Sequence, residues 1–179
     1  MAIPANHRWR YAYHFTHINN LESIIENGIL STNIKSNKGI SHENIAEEGI
    51  QVRRSNMSVP CSNGKVVHDY VPFYFSKRTS MQLGVINKKN VDQQFLIYFA
   101  IPITVLESKE GVVFSNASAN TDNPPKFYNA LHLQQLDSLN WAAIDSKSWG
   151  GNDDLRHQKM AELLFPERVY ITDISHIIA

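Results

Sequence analysis

The chain has 179 residues, 42% hydrophobic and 19% charged, which is long enough to bury a sizeable core and too apolar for wholesale disorder. A single cysteine, Cys61, excludes an intrachain disulfide, suits a reducing compartment and reads as a passive loop thiol. Lys plus Arg equals Asp plus Glu at 17 each, so bulk charge draws the chain to neither nucleic acid nor a membrane, and only a local patch can do so.

Residues 1–9 carry no apolar run and no small-residue cleavage pattern, and no window approaches the roughly 18 uninterrupted apolar residues of a membrane helix. A cytoplasmic protein of one domain over residues 1–179 is expected, with no membrane contact. From Trp9 to Phe15 the alternation predicts a strand with Tyr11, Tyr13 and Phe15 on one face and Ala12, His14 and Thr16 on the other. Asn19 or Asn20 then caps a helix through Leu21, Ile24 and Ile25, closed by Asn27-Gly28. Ser31 to Gly39 is polar and reads as a surface loop. A short helical segment from Ser41 through Ile50 delivers Arg53-Arg54 at its end, and Pro60 to Val67 forms a loop.

Tyr70 to Phe75 is an aromatic, buried strand, and Ser76 to Ser80 supply polar residues ahead of a helix that begins near Met81. Phe95 to Val105 is the most strand-like segment and should be central. Val112 to Phe114 is a short strand, 115–125 a loop, and Phe127, Ala130, Leu131, Leu133 and Leu136 mark a helix with one apolar face. A second short helix holds Trp141 to Ile144. Lys147 to Asp154 is a loop with one large exposed aromatic, Trp149, and Leu155 to Gln158 is a helical turn. Met160 to Phe165 alternates as a strand that places the Glu162 carboxylate on a mainly apolar face, and Val169 to Ile178 offers a last strand or two.

No metal-ligand spacing is present among the eight histidines and one cysteine, and no metal is expected. None of the eight glycines falls in a phosphate-loop pattern, and no nucleophile elbow marks a serine. What remains is a polar trio at element ends: His14, Arg54 and Glu162.

Four blocks, Tyr13-His14-Phe15-Thr16-His17-Ile18-Asn19-Asn20-Leu21, Ile50-Gln51-Val52-Arg53-Arg54, His68-Asp69-Tyr70-Val71-Pro72-Phe73-Tyr74-Phe75 and Met160-Ala161-Glu162-Leu163-Leu164, resemble in order and spacing the DarT family. This is the toxin half of the DarT/DarG toxin-antitoxin pair. The resemblance implies an α+β ADP-ribosyltransferase fold, with split mixed β-sheets, peripheral helices and an NAD cleft. It also implies transfer of ADP-ribose from NAD to thymine or guanine of single-stranded DNA, and a DarG-like macrodomain antitoxin as partner. In that frame Arg54 and Glu162 match the catalytic arginine and glutamate, with Arg54 also at the cofactor, and His14, Phe15 and Thr16 form the NAD-binding first strand. Ser23 and Ser31 join them by position alone.

The residue types suit this chemistry. Breaking the nicotinamide–ribose bond builds oxocarbenium character, which a carboxylate beside the ribose stabilises. Arginine holds pyrophosphate or a base by directed hydrogen bonds, while its high pKa makes it a poor proton acceptor. Tyr74 or Phe75 can stack on nicotinamide and Met81 can line the same pocket. Reading an unstacked base needs aromatics and a few cations, and the 147–159 segment with Trp149, Arg156, His157 and two lysines is the candidate reader.

The chain departs from the resemblance in having Lys77-Arg78-Thr79-Ser80-Met81 for a Pro-Arg-Ser-Pro-Met run and Met160-Ala161-Glu162 for Gln-Ala-Glu. The second change bears on base preference. The chain also stops short of the family pattern, so a terminal element is expected to be missing. An RNA-modifying or phage-defence transferase and a silent NAD-binding module are the alternative readings.

Overall fold

The computed structural model describes residues 2–88, 91–121 and 123–179; residue 1 and, in the expected 115–125 loop, residue 122 lie outside them. The strands form where apolar side chains recur every second residue or without a break. In chain order the elements are β1 (Tyr11–His17), α1 (Leu21–Asn27), β2 (Ile29–Leu30), α2 (Thr32–Asn37), α3 (Glu48–Asn56), β3 (Tyr70–Tyr74), α4 (Ser80–Lys88), β4 (Leu96–Pro102), α5 (Val105–Ser108), β5 (Val113–Ser115), β6 (Phe127–Tyr128), α6 (Trp141–Asp145), α7 (Asp153–Lys159), β7 (Glu162–Pro166), β8 (Arg168–Val169) and β9 (His176–Ile178).

A seven-stranded sheet runs β6-β5-β7-β3-β1-β4-β9, and β2 pairs with β8 in a second, two-stranded sheet. The expected mixture of strand directions is not seen among the described pairings, all of which are antiparallel. The expected split lies at one seam. β1 pairs with β4 over seven residues and β3 with β7 over five, whereas β1 and β3 share the single pair Tyr13↔Tyr74. The sheet therefore parts between β1 and β3, and the two strands that carry His14 and Tyr74 form the edges of the gap.

β3 is the middle strand, and Val71 and Phe73 on it are fully buried. Its apolar run is thus a core strand on the Val71 and Phe73 face, while Tyr70, Pro72 and Tyr74 alternate with them and border the site. β4 contributes Phe99 and Ile101 to the same core, which continues through Leu133, Leu136 and Leu163. At the end of α1, Gly28 has φ +77°, and a Cβ there would stand 2.6 Å from the Val169 carbonyl. Only glycine combines that left-handed turn with the close approach of β8.

Three local expectations are corrected. Residues 32–37 form α2 rather than a loop, because the Ser31 hydroxyl accepts from the Ile34 amide as an N-cap at 3.3 Å. The helix that delivers Arg54 begins at Glu48, not near Ser41, since the Glu43 amide and carbonyl are both taken by the Asn20 side chain. The expected helix at 127–136 is instead β6 followed by a 3-10 segment, Ala130–Ser138, with non-helical φ/ψ at His132. Among the described residues, no helix is long and apolar enough to cross a membrane, and no group of His, Cys, Asp and Glu is placed to hold a metal ion.

Candidate active site

The parting of β1 from β3 opens a cavity of about 430 Å³ whose walls come from β1, α1, β2, α2, the 40–46 segment, α3, β3 and α4. At its base, Arg54 projects from the last turn of α3 and Glu162 from the first residue of β7, opposite Tyr74 in register. Nη1 and Nη2 of Arg54 donate to the two carboxylate oxygens of Glu162, both at 2.8 Å. Such a fork-on-fork pair fixes both planes. Arg54 is 5% exposed and faces the cavity, while Glu162 is fully buried behind it.

The pair is supported on both sides. The Ala119 amide donates to Glu162 Oε1 at 3.0 Å, and the Glu162 amide donates to the Ser115 hydroxyl at 3.2 Å. Burial alone would lower the Arg54 pKa, but the facing carboxylate outweighs it and holds the guanidinium above its ordinary value. Burial, and then the Glu162 charge, push the Tyr74 hydroxyl up.

His14 opens on the cavity, and its Nδ1 lies 2.8 Å from the Pro72 carbonyl across the seam. A carbonyl can only accept, so Nδ1 carries the proton and Nε2 is left as an acceptor. Enclosure by protein pushes the His14 pKa down to about 4, against the opposing effect of the Pro72 bond. Thr16 is buried beside it, with its hydroxyl oxygen accepting from Asn20 at 2.9 Å.

Of the other expected cofactor residues, Phe15, Ser23, Tyr74 and Met81 all line this cavity. Tyr74 also stacks on Phe15 across the seam, at 6.3 Å between ring centres. Phe75 does not share this wall: it is buried edge-on against Trp141. Ser31 is likewise off the wall. Its neighbours Leu30 and Thr32 face the cavity while its hydroxyl caps α2, as the alternation of an extended backbone requires.

Sequence reading missed several wall residues. By composition Lys35 belongs to a polar loop, but α2 turns it onto the cavity, where burial lowers its pKa. Gln51 and His68 join it, hydrogen-bonded to each other at 3.0 Å. Asn20 is the most consequential. Its Oδ1 accepts from the Glu43 amide at 2.7 Å and its Nδ2 donates to the Glu43 carbonyl at 3.0 Å, so one side chain anchors the 40–46 wall to β1. The signal for it was a second asparagine at a helix start where one cap suffices.

The residues fit a dinucleotide. Lys35 and Arg54 offer cationic charge to a pyrophosphate, Tyr74 and Phe15 offer aromatic surface, and the His14 Nε2 can accept from a ribose hydroxyl.

A second cavity of about 330 Å³ adjoins the first and shares Ile45, Met81 and Val85 with it. Arg53, Lys88, Arg156, His157 and Asn120 bring polar and cationic groups to its wall. Arg156 and His157 thus line the second cavity and not the one that Arg54 borders. Trp149 lines neither cavity and is half-buried rather than exposed. Lys159 is not available as a reader, because its buried ammonium donates to Ser76 Oγ at 3.1 Å and to the carbonyls of Ile144 and Ser146 at 3.0 and 2.5 Å.

Against known proteins, residues 13–179 match the family model described as "ssDNA thymidine ADP-ribosyltransferase, DarT". A DNA ADP-ribosyl transferase of Thermus sp. (strain 2.9) is 34% identical over 157 residues, which are 85% of this chain and 72% of that protein. The structure of Thermus sp. 2.9 DarT in complex with ADP-ribosylated ssDNA superposes with a TM-score of 0.84 at 28% identity, over 99% of this chain and 83% of that one. The same protein in complex with NAD+ gives 0.77 at 25% identity, over 98% and 83%.

Proposed function

This chain belongs to the DarT family of ADP-ribosyltransferases, and from that membership we propose that it transfers ADP-ribose from NAD to thymidine in single-stranded DNA. The observation that carries the reading is the buried Arg54–Glu162 pair at the base of a cavity suited to a dinucleotide.

NAD is the substrate, and it supplies the ADP-ribosyl group together with nicotinamide as leaving group. On this reading His14 accepts a ribose hydroxyl at Nε2, Lys35 and Arg54 hold the pyrophosphate, and Tyr74 packs on the nicotinamide. Phe15, Thr16, Ser23 and Met81 complete the walls. As the bond from ribose C1′ to nicotinamide breaks, nicotinamide keeps the bonding pair, and the Glu162 carboxylate stabilises the positive charge that develops on the sugar. The base attacks C1′, its new bond replacing the one to nicotinamide, and its proton passes to solvent water in the open cavity. Arg54 orients Glu162 and the incoming base rather than taking that proton, since a guanidinium held above its ordinary pKa is a poor acceptor.

The second cavity receives the base, with Arg156 and His157 on its wall. A neutral chain presenting a few local cations suits contact with a few unstacked nucleotides. We read residues 1–179 as one catalytic domain of a cytoplasmic toxin, opposed by a macrodomain antitoxin of the DarG kind.

The test is incubation with labelled NAD and single-stranded oligonucleotides, followed by mass spectrometry of the released nucleosides. Wild-type protein should yield ADP-ribosyl-thymidine and Glu162→Ala none. Equal labelling by both proteins, a product on guanosine alone, or preferential labelling of RNA in competition overturns the reading.

A further inference from the structure

Glu162 sits at a point where the sheet is interrupted. β5 pairs with β7 through Val113↔Leu164 and Phe114↔Leu163, a register that would next set Ser115 opposite Glu162. The ladder stops there. The Glu162 amide donates to the Ser115 side-chain oxygen, and that hydroxyl donates onward to the Ala117 carbonyl at 2.7 Å. A single hydroxyl thus takes the place of a ladder acceptor and folds residues 115–119 back across the start of β7.

The fold-back aims a backbone donor. The Ala119 amide meets Glu162 Oε1 at 3.0 Å, on the same oxygen that Arg54 Nη1 holds. Ser115, Ala119 and Glu162 are all fully buried, and Ala119 packs with Val59, Val67, Tyr70, Val113 and Leu164. The Ser118 amide donates to the His157 carbonyl at 2.9 Å, which ties the same loop to α7 and the second cavity.

We infer that Ser115 is a positioning residue: its hydroxyl sets the 115–119 loop so that the Ala119 amide holds the Glu162 carboxylate, together with Arg54, in one orientation. The inference rests on the catalytic role proposed for Glu162. Arg54 is the partner that faces the cavity, from the last turn of α3, and so the one a substrate can reach. The amide belongs to the buried backbone. When a substrate draws Arg54 toward its own phosphates or base, Ala119 is the contact that keeps the carboxylate in place. The orientation of the reacting group then depends on a residue that touches no substrate.

Ser115→Ala and Ser115→Thr test this with two readouts. The first is amide hydrogen exchange in the ligand-free protein. Ser115→Ala should speed exchange at Ala119 at least tenfold while Phe73 and Leu163 in the neighbouring strands keep their rates. The second is steady-state kinetics of ADP-ribose transfer. kcat should fall on the order of 100-fold, the cost of misplacing a reacting group by about 1 Å, while KM for NAD stays within about twofold. Ser115→Thr, which keeps the hydroxyl, should restore both.

Unchanged exchange at Ala119, wild-type kcat in Ser115→Ala, kcat and KM that worsen together, no rescue by threonine, or a Ser115→Ala chain that does not fold each overturns the inference. Absence of transfer by the wild-type protein would instead refute the proposed function, and the exchange measurement would still decide whether Ser115 holds the loop.

Discussion

Arg54→Ala should cost stability as well as activity, because it strands a carboxylate in the protein interior. Two charge-assisted bonds of 2.8 Å disappear and, among the described residues, Glu162, fully buried, keeps only the Ala119 amide. Removing one partner of a buried ion pair costs about 3–5 kcal/mol. Arg54 borders the cavity, so water can enter the space it leaves, which places the loss near the lower end, about 3 kcal/mol. For a chain of this size that lowers the thermal midpoint by about 6–12 °C. Urea unfolding followed by circular dichroism measures the loss directly, with an unchanged slope showing that the denatured state is unaltered. The diagnostic comparison is a double-mutant cycle with Glu162→Ala. Once both charges are gone no uncompensated group remains, so the double variant should be more stable than the sum of the single losses by about 2–3 kcal/mol. Arg54→Met with Glu162→Leu should come within about 1 kcal/mol of wild type while transferring no ADP-ribose. If Arg54→Ala lies within about 1 kcal/mol of wild type, or the cycle is additive, the pair is solvated and the account of it is wrong.

Two further outcomes follow from the seam and the wall above it. His14 has a folded pKa of about 4 against an ordinary 6.5, so between those values the unfolded chain binds the extra proton. Stability should be fully present above pH 6.5 and fall as the pH drops toward 4, by up to about 3 kcal/mol. His14→Asn, which can keep a donor toward the Pro72 carbonyl without titrating, should flatten that slope by one proton in urea unfolding from pH 7 to 4; an unchanged slope would place the titration elsewhere. Asn20→Ala unhooks the 40–46 wall by removing both bonds to Glu43, and calorimetry should show NAD binding weakened about tenfold, the equivalent of one to two lost hydrogen bonds. An unaltered Kd would mean that the wall holds itself.

What was legible in the sequence depended on how far apart the cooperating atoms lie along the chain. β1, β3, β4 and α1 are written in side chains two to four residues apart, which periodicity reads directly. Arg54 and Glu162 are separated by 108 positions, and only the resemblance of whole blocks placed them together. The segments read wrongly share one cause. Composition assigns α2 to a loop because its cap, Ser31, serves equally well in a turn, and the 41–47 segment to a helix because nothing local reveals that Asn20 holds the backbone of Glu43. Ser115 belongs with these: a serine at a strand end is unremarkable until its hydroxyl is found on an amide 47 residues away. In each case a small polar side chain substitutes for a backbone partner, so composition does not distinguish it from a surface residue. The reacting pair can therefore persist in blocks that resemble the family while the groups that aim it are set by single hydrogen bonds elsewhere. By that reasoning, two chains that share Arg54 and Glu162 can differ in rate through positions such as Asn20 and Ser115 alone.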